Sequence, residues 1–348
     1  MHRKKIRDRF ERYELARSPF SQKPTQRDIA KLLGESRDDL RRLIDYKEQF
    51  IVRRQEVIGK KQKLRDLRYP VSRLRAVHER LKFHLNKVKL PSYLFSPRRN
   101  RGQRDNAALH LDQDRYLTLD LKQFYPSTTA RMVWKWFRDD LGMYDDVAGM
   151  LTHLCTIDEK VSFGSPLTPV LCALIHRPMF DRIAEICDEN GLRYSLWVDD
   201  LTISGPSISV NVLKKIRAVV QEAGLKTHKI KFHSGKKPVF ITGVGVVGAH
   251  LVAANSVNLR LGAAWAEYDC AETLDERDQC TQTLLSLLGT VRHIVGAKTE
   301  AGQKAANQMN SLRQKLKKHR LHDAKLHAAK RHIAAASQTN KEAADAPF

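Results

Sequence analysis

The sequence predicts an α+β protein, and three observations carry that reading. From Tyr116 to about Arg260, short runs rich in β-branched and aromatic residues alternate with stretches of helical periodicity. Beyond Ala263 the apolar spacing stays helical until a polar tail near Ser337. At 348 residues and 42% hydrophobic side chains, the chain is long enough for two or three packed modules. No repeat of fixed period competes with this plan.

The elements follow in order. Thr25 to Ile44, "TQRDIAKLLGESRDDLRRLI", opens on a Thr N-cap, runs helically, breaks at Gly34 and restarts after Glu35-Ser36. Two readings fit it: a helical hairpin used for packing, or a small helix-turn-helix. Gln49 to Arg104 is dense in Arg and Lys, with turn signals at Tyr69-Pro70, Leu90-Pro91 and Ser96-Pro97, so mixed short elements are expected. "RYLTLDLKQFYPS" holds an apolar strand, Tyr116 to Leu121, with Asp120 at its end and Pro126 closing it. "VSFGSPLTPVLCALIHRPMFDRI" places a permissive turn, Gly164-Ser165-Pro166, before a long apolar helix that Pro178 should kink. "SLWVDDLTISG" reads as strand, tight turn, strand, with Asp199 and Asp200 at the tip. Lys226, Lys229 and Lys231 precede a further β segment and suit either a triphosphate or ordinary surface charge. In residues 303–333 nine Lys/Arg face one acid, Asp323, while Met309, Leu312 and Leu316 recur at helical spacing. One face of that helix can pack while the other tracks RNA.

Charge narrows the function. The chain carries 62 Lys+Arg against 39 Asp+Glu, a formal +23, which points to a polyanion and above all to nucleic acid. The excess is uneven: 31 basic and 12 acidic side chains in residues 1–104, 17 of each in 105–250, and 14 against 10 beyond. A neutral centre between basic arms fits a site that gathers carboxylates between modules gripping a phosphate backbone. No run reaches the roughly 18 apolar residues of a membrane span, and "MHRKKIRDRF" lacks a signal-peptide core, so a cytoplasmic protein without a membrane partner is expected. Cys155, Cys172, Cys187, Cys270 and Cys280 show neither CxxC spacing nor a disulfide framework, as expected of reduced packing thiols.

Two aspartates side by side in a turn ordinarily reflect only turn chemistry. A strand-end Asp120 followed much later by a strand-flanked Asp pair is more specific. If the strands lie together, three carboxylates converge where only cations relieve their repulsion. Two Mg²⁺ ions about 4 Å apart would do so and would clamp both oxygens of a phosphoryl transfer. That arrangement is one used by nucleotide polymerases.

With these residues in place, the chain resembles a reverse transcriptase, and more narrowly a bacterial retron reverse transcriptase, over roughly Tyr69 to Val247. "LTLDLKQFYPS" is similar to the first catalytic motif, "GSPLTP" to the loop-helix motif supporting template and nucleotide, and "WVDD" to the motif of an aromatic, any residue and two aspartates. "DNAALH" matches the retron Asn-Ala-x-x-His element, and "ITG" is one residue from its Val-Thr-Gly element. The resemblance implies a right-hand polymerase: a helical extension (1–45), fingers (46–115), palm (116–261), helical RNA-binding thumb (262–336) and polar tail (337–348). It implies Asp120, Asp199 and Asp200 as catalytic, holding two Mg²⁺ ions with the Leu121 backbone. Tyr125, Phe163, Gly164, Lys63, Arg65 and Lys231 would meet the nucleotide, with Tyr125 as the gate that excludes a ribose 2′-hydroxyl and Lys231 on the pyrophosphate side. With Lys63 and Arg65, Arg68, Arg73 and Arg75 are candidates for template phosphates and the triphosphate. Asn106, His110, Ile241, Thr242, Gly243, Arg313, Lys317, Lys318 and Arg320 would recognise RNA. Two departures stand out: Phe163 occupies the family's usual Gln position, and Trp197 the usual Tyr. The implied activity is RNA-directed DNA synthesis from dNTPs on a cognate structured noncoding RNA that is both template and primer. Its product would be a branched RNA–DNA molecule, made in antiphage defence with a separate effector protein. Another bacterial defence-associated reverse transcriptase, or a non-catalytic RNA-binding polymerase scaffold, are the competing readings.

Overall fold

The first helical pair forms where its caps direct. In the computed structural model, which describes residues 12–58, 63–318 and 320–321, α1 (Gln26–Leu33) starts at Thr25, whose side chain accepts from the Asp28 N–H while Asp28 accepts from the Thr25 N–H. Gly34 closes it at φ 72°, and α2 (Arg37–Asp45) begins at the Ser36 cap. Ile29, Leu33, Leu40 and Leu43 are buried in the main core, so the pair is used for packing.

β1 (Ile51–Ile58) and β2 (Lys63–Pro70) pair antiparallel as a two-stranded ribbon, and α3 (Ser72–Leu85) follows. These are longer than the short elements expected. The apolar row Leu74, Val77, Leu81 and Leu85 that α3 buries is helical in spacing, but it is interleaved with Arg and Lys that mask it in the sequence.

Next come β3 (Leu94–Ser96), α4 (Gln103–Ala108), β4 (Arg115–Leu121), α5 (Phe124–Ser127), α6 (Ala130–Lys135), α7 (Asp145–Cys155), α8 (Thr168–Ile175) and α9 (Arg177–Glu189). β5 (Arg193–Trp197), β6 (Asp200–Gly205), α10 (Val210–Glu222) and β7 (Thr227–Ser234) complete this unit. Five of these strands make one sheet in the order β3-β5-β6-β4-β7, antiparallel except for β3 beside β5. β4 and β6 are thus central neighbours although far apart in the chain. The burial of Tyr116, Leu117, Leu119 and Leu121 on both faces of β4 fits a strand covered on both sides. Pro178 breaks the apolar helix instead of kinking it: α8 ends at Ile175, and Pro178 lies in the first turn of α9, where its missing N–H leaves no bond unmade.

The chain divides into two compact units, Met1–Lys237 and Pro238–Phe348. The second contains the antiparallel strands β8 (Val239–Ile241), β9 (Val244–Val247) and β10 (His250–Ala253), then α11 (Asn255–Cys270), α12 (Leu274–Val295) and α13 (residues 300–318). Its helices bury Ala264, Tyr268, Leu284, Leu288, Ala305 and Leu312 together. The remainder of the basic segment, 322–333, and the polar tail 337–348 lie outside the described residues. All five cysteines are free, with Cys155, Cys172 and Cys187 buried. No helix among the described residues is long and apolar enough to cross a membrane.

Candidate active site

The sheet order sets the site. β4 and β6 pair with Asp120 directly opposite Asp200, and the Leu121 N–H donates to the Asp199 carbonyl at 3.0 Å. The turn joining β5 to β6 is only Val198 and Asp199, and Val198 sits at φ 60°, an unfavourable backbone for a β-branched residue. Local strain is thus accepted at the tip that presents Asp199. Carboxylate oxygens of Asp120, Asp199 and Asp200 all lie within 4.8 Å of one another, and they are the only group of three or more such ligand residues found among the described residues.

Such crowding is unfavourable without cations. At an effective dielectric near 20, two carboxylates this close repel by about 3 kcal/mol. Burial first, and then the charges of Asp120 and Asp200, push the Asp199 carboxyl up to about 7. Asp200 is also raised, by desolvation and by Asp120. One protein cation answers: Lys229 forms an ion pair with Asp120, and that bond raises the lysine in turn. Three hard oxygen donors with one ammonium among them fit divalent cations with oxygen ligands.

A cavity of about 630 Å³ opens beside the carboxylates, its lining including Asp120, Asp199, His228, Lys229, Arg68, Lys160 and Phe163. Tyr125 reaches it from α5, which Gln123 opens in the left-handed region at φ 49°. Its ring meets Phe163 edge-on, centroids 5.3 Å apart, and burial raises its hydroxyl pKa. Gly164 follows at φ 90°, and a Cβ there would stand 2.9 Å from the Tyr69 Cβ. Only glycine lets β2 and this loop approach so closely.

The other expected residues divide clearly. Lys231 does not line the cavity, whereas Lys229 does. Lys63 and Arg65 lie on β2, but their side chains are outside the described residues. Arg68 lines the cavity and pairs with Asp158, while Arg73 pairs with Glu35 and Asp39, and Arg75 with Glu79. Asn106 and His110 are fully buried and present no surface to RNA. Ile241 is core, and Thr242 and Gly243, at φ 48° and 88°, form the two-residue turn between β8 and β9. Arg313, Lys317, Lys318 and Arg320 are exposed, with Arg320 3.4 Å from Asp278, while Leu312 on the same helix is buried. Sequence reasoning misses His228 and Lys160, since nothing in their local sequence distinguishes them from surface residues.

Comparison with known proteins agrees with the motifs. The reverse transcriptase (RNA-dependent DNA polymerase) family profile matches residues 58–246. Retron Se72 reverse transcriptase of Salmonella heidelberg (strain 579083-10) is 26% identical over 179 residues, covering 50% of this chain and 47% of its own. Retron Ec86 reverse transcriptase of Escherichia coli is 29% identical over 151 residues, with 43% and 47% covered. Retron Mx65 reverse transcriptase of Myxococcus xanthus is 28% identical over 283 residues, with 73% and 63% covered. The chain spans about half the length of the first two relatives.

Proposed function

The chain belongs to the reverse transcriptase (RNA-dependent DNA polymerase) family, and from that premise we propose that it is a retron-type enzyme copying a structured noncoding RNA into DNA. The observation that carries this reading is the convergence of Asp120, Asp199 and Asp200, the first two of which line a cavity of about 630 Å³, a volume suited to a nucleotide. Asp120 and Asp199 would hold two Mg²⁺ ions, with Asp200 and the Leu121 carbonyl assisting. Bound there, the ions supply charge compensation for the attacking primer hydroxyl and the departing pyrophosphate.

The chain's own residues do the positioning. Tyr125, braced by Phe163, faces the sugar of the dNTP and leaves no room for a 2′-hydroxyl. Gly164 does not itself line the cavity but keeps the Phe163 loop packed closely on Tyr69 of β2. Lys229 takes the pyrophosphate-side role that spacing alone assigns to Lys231, because it is the lysine that reaches Asp120. Arg68 and Lys160, also at the cavity, are candidates for the triphosphate. The Thr242-Gly243 turn and the basic face of α13, with Arg313, Lys317 and Lys318, together with Arg320 beyond it, are the surfaces proposed for the cognate RNA.

The retron resemblance extends the proposal. The RNA serves as template and primer, DNA starts from an internal 2′-hydroxyl, and the branched product acts in antiphage defence with a separate effector protein in the cytoplasm. The test is to purify the protein from its host with its nucleic acid, beside a preparation carrying Asp199→Ala and Asp200→Ala, and to sequence both. A short DNA branched from one structured RNA, absent from the variant, is expected. Structured RNA without DNA in either preparation would favour a binding scaffold, and unbranched DNA another defence polymerase.

A further inference from the structure

Three histidines lie wholly inside the first unit, and each bonds a hydroxyl on a different segment of the site. The His110 ring bridges the catalytic hairpin: Nδ1 is 2.7 Å from Ser204 Oγ on β6 and Nε2 is 2.8 Å from Ser195 Oγ on β5. Its carbonyl accepts from the Tyr116 hydroxyl on β4 at 2.9 Å, so one residue ties the three strands that carry or flank the aspartates. His78, on α3, donates from Nε2 to the Leu154 carbonyl at 2.7 Å. Its Nδ1 must then accept from the Ser165 hydroxyl, 2.7 Å away, and that oxygen accepts from the Leu167 N–H. This holds the loop that carries Phe163 and Gly164. His176 Nε2 is 2.9 Å from Thr128 Oγ1, which also bonds the Phe124 carbonyl, while the Thr128 N–H donates to the Tyr125 carbonyl at 3.0 Å. This holds the short helix that carries Tyr125.

We infer that His78, His110 and His176 are positioning residues, each fixing one of the three segments that build the site through a buried hydrogen bond to its hydroxyl. All three are at most 4% exposed. A neutral imidazole suits the task because it offers one donor and one acceptor on a rigid ring. Burial favours the neutral form in every case. Replacing the ring by an apolar side chain removes one buried hydrogen bond from each hydroxyl, which loosens that segment before the rest of the fold.

The inference rests on the polymerase reading only for its kinetic consequences, so two measurements are paired. Amide hydrogen exchange is followed in the full chain for wild type and for His110→Leu, His78→Leu and His176→Leu. The hydroxyl-side variants Ser204→Ala, Ser165→Ala and Thr128→Val serve as companions that spare the core volume if a histidine variant does not fold. About tenfold faster exchange is expected at residues 193–205, 163–167 and 124–128 respectively, with the other two segments at wild-type rates. A uniform rise across all segments, or no change, overturns the assignment. On the same preparations, His110→Leu should lower kcat with KM for dNTP nearly unchanged. His78→Leu and His176→Leu should chiefly raise that KM. Equal losses without this split also overturn the assignment. A wild-type protein that incorporates no nucleotide instead overturns the polymerase reading while leaving the exchange result to stand by itself.

Discussion

Asp199 is held against its own chemistry, its carboxyl pushed up to about 7 by burial and by two neighbouring aspartates. Removing its charge should therefore separate function from stability. Asp199→Asn is expected to reduce nucleotide incorporation by about a thousandfold, since on the proposed reading it withdraws a metal ligand. In EDTA the same variant should melt about 2 °C higher, because relief of about 1 kcal/mol of repulsion moves Tm by that order in a unit this large. Adding Mg²⁺ should raise the wild-type Tm and leave the variant nearly unmoved, as mass action requires of a cation bound only by the folded state. A wild-type melt indifferent to every divalent cation would contradict the role given to the triad. Gly164 makes an independent case. Its φ is 90°, and an alanine methyl there would stand only 2.9 Å from the Tyr69 Cβ. Gly164→Ala should destabilise the unit by about 2 kcal/mol through backbone strain and overlap together. Thermal melting checks this, and an unchanged Tm would show that the loop shifts freely.

At the scale of elements, the sequence is most readable where local chemistry decides alone. The Thr25 cap, the apolar run ending at Asp120 and the Asp pair between two β-branched runs all became the elements their residues suggested. What pattern alone leaves undetermined is pairing. Only the tertiary register sets Asp120 opposite Asp200. Lys229 shows the same limit more sharply. β7 pairs Lys231 with Thr118 but His228 with Asp120, so one extra residue bulges from β7, and Lys229 turns at φ 48° to reach Asp120. Spacing along the sequence, which assigns the role to Lys231, carries no record of that bulge. Asn106 and His110 fail differently, since a motif states residue types and not whether they face outward. In α13 the amphipathic reading does carry through, with Leu312 buried and Arg313, Lys317 and Lys318 exposed. Replacing Arg313, Lys317, Lys318 and Arg320 together by Ala should spare the fold. If they neutralise RNA phosphates, the slope of log affinity against log salt should become shallower by about 3, at roughly 0.7 to 0.9 for each phosphate no longer neutralised. An unchanged slope would place the RNA elsewhere.

For the whole first unit, the buried histidines make a prediction about acid. Burial lowers His78 to about 4, His110 to about 3 and His176 to about 4, with Lys47 reinforcing the first and Arg193 the second. Each pKa is depressed on folding, so the stability that depends on neutral rings is complete above the unfolded value near 6.5. It is lost progressively as pH falls from there toward the folded values. Below about pH 6 the unfolded chain therefore takes up close to three more protons at these sites than the folded one. Asp199 has the opposite sign, because its pKa is raised on folding to about 7. As pH falls from 7 toward 4, the metal-free folded state takes up one proton that the unfolded state does not yet bind. These four groups by themselves leave close to two protons, or about 2.7 kcal/mol lost per pH unit between pH 6 and 5; His84 and His233, also lowered by burial, add to that loss, and Asp140 and Asp200, raised by burial, offset it. Denaturant unfolding of the first unit, followed across that range in EDTA, tests the slope. His110→Gln should flatten it by one proton. Asp199→Asn should steepen it by one, since it removes that compensating uptake. The two variants thus shift one measured slope in opposite directions, which a general acid sensitivity of a protein carrying +23 formal charges would not do.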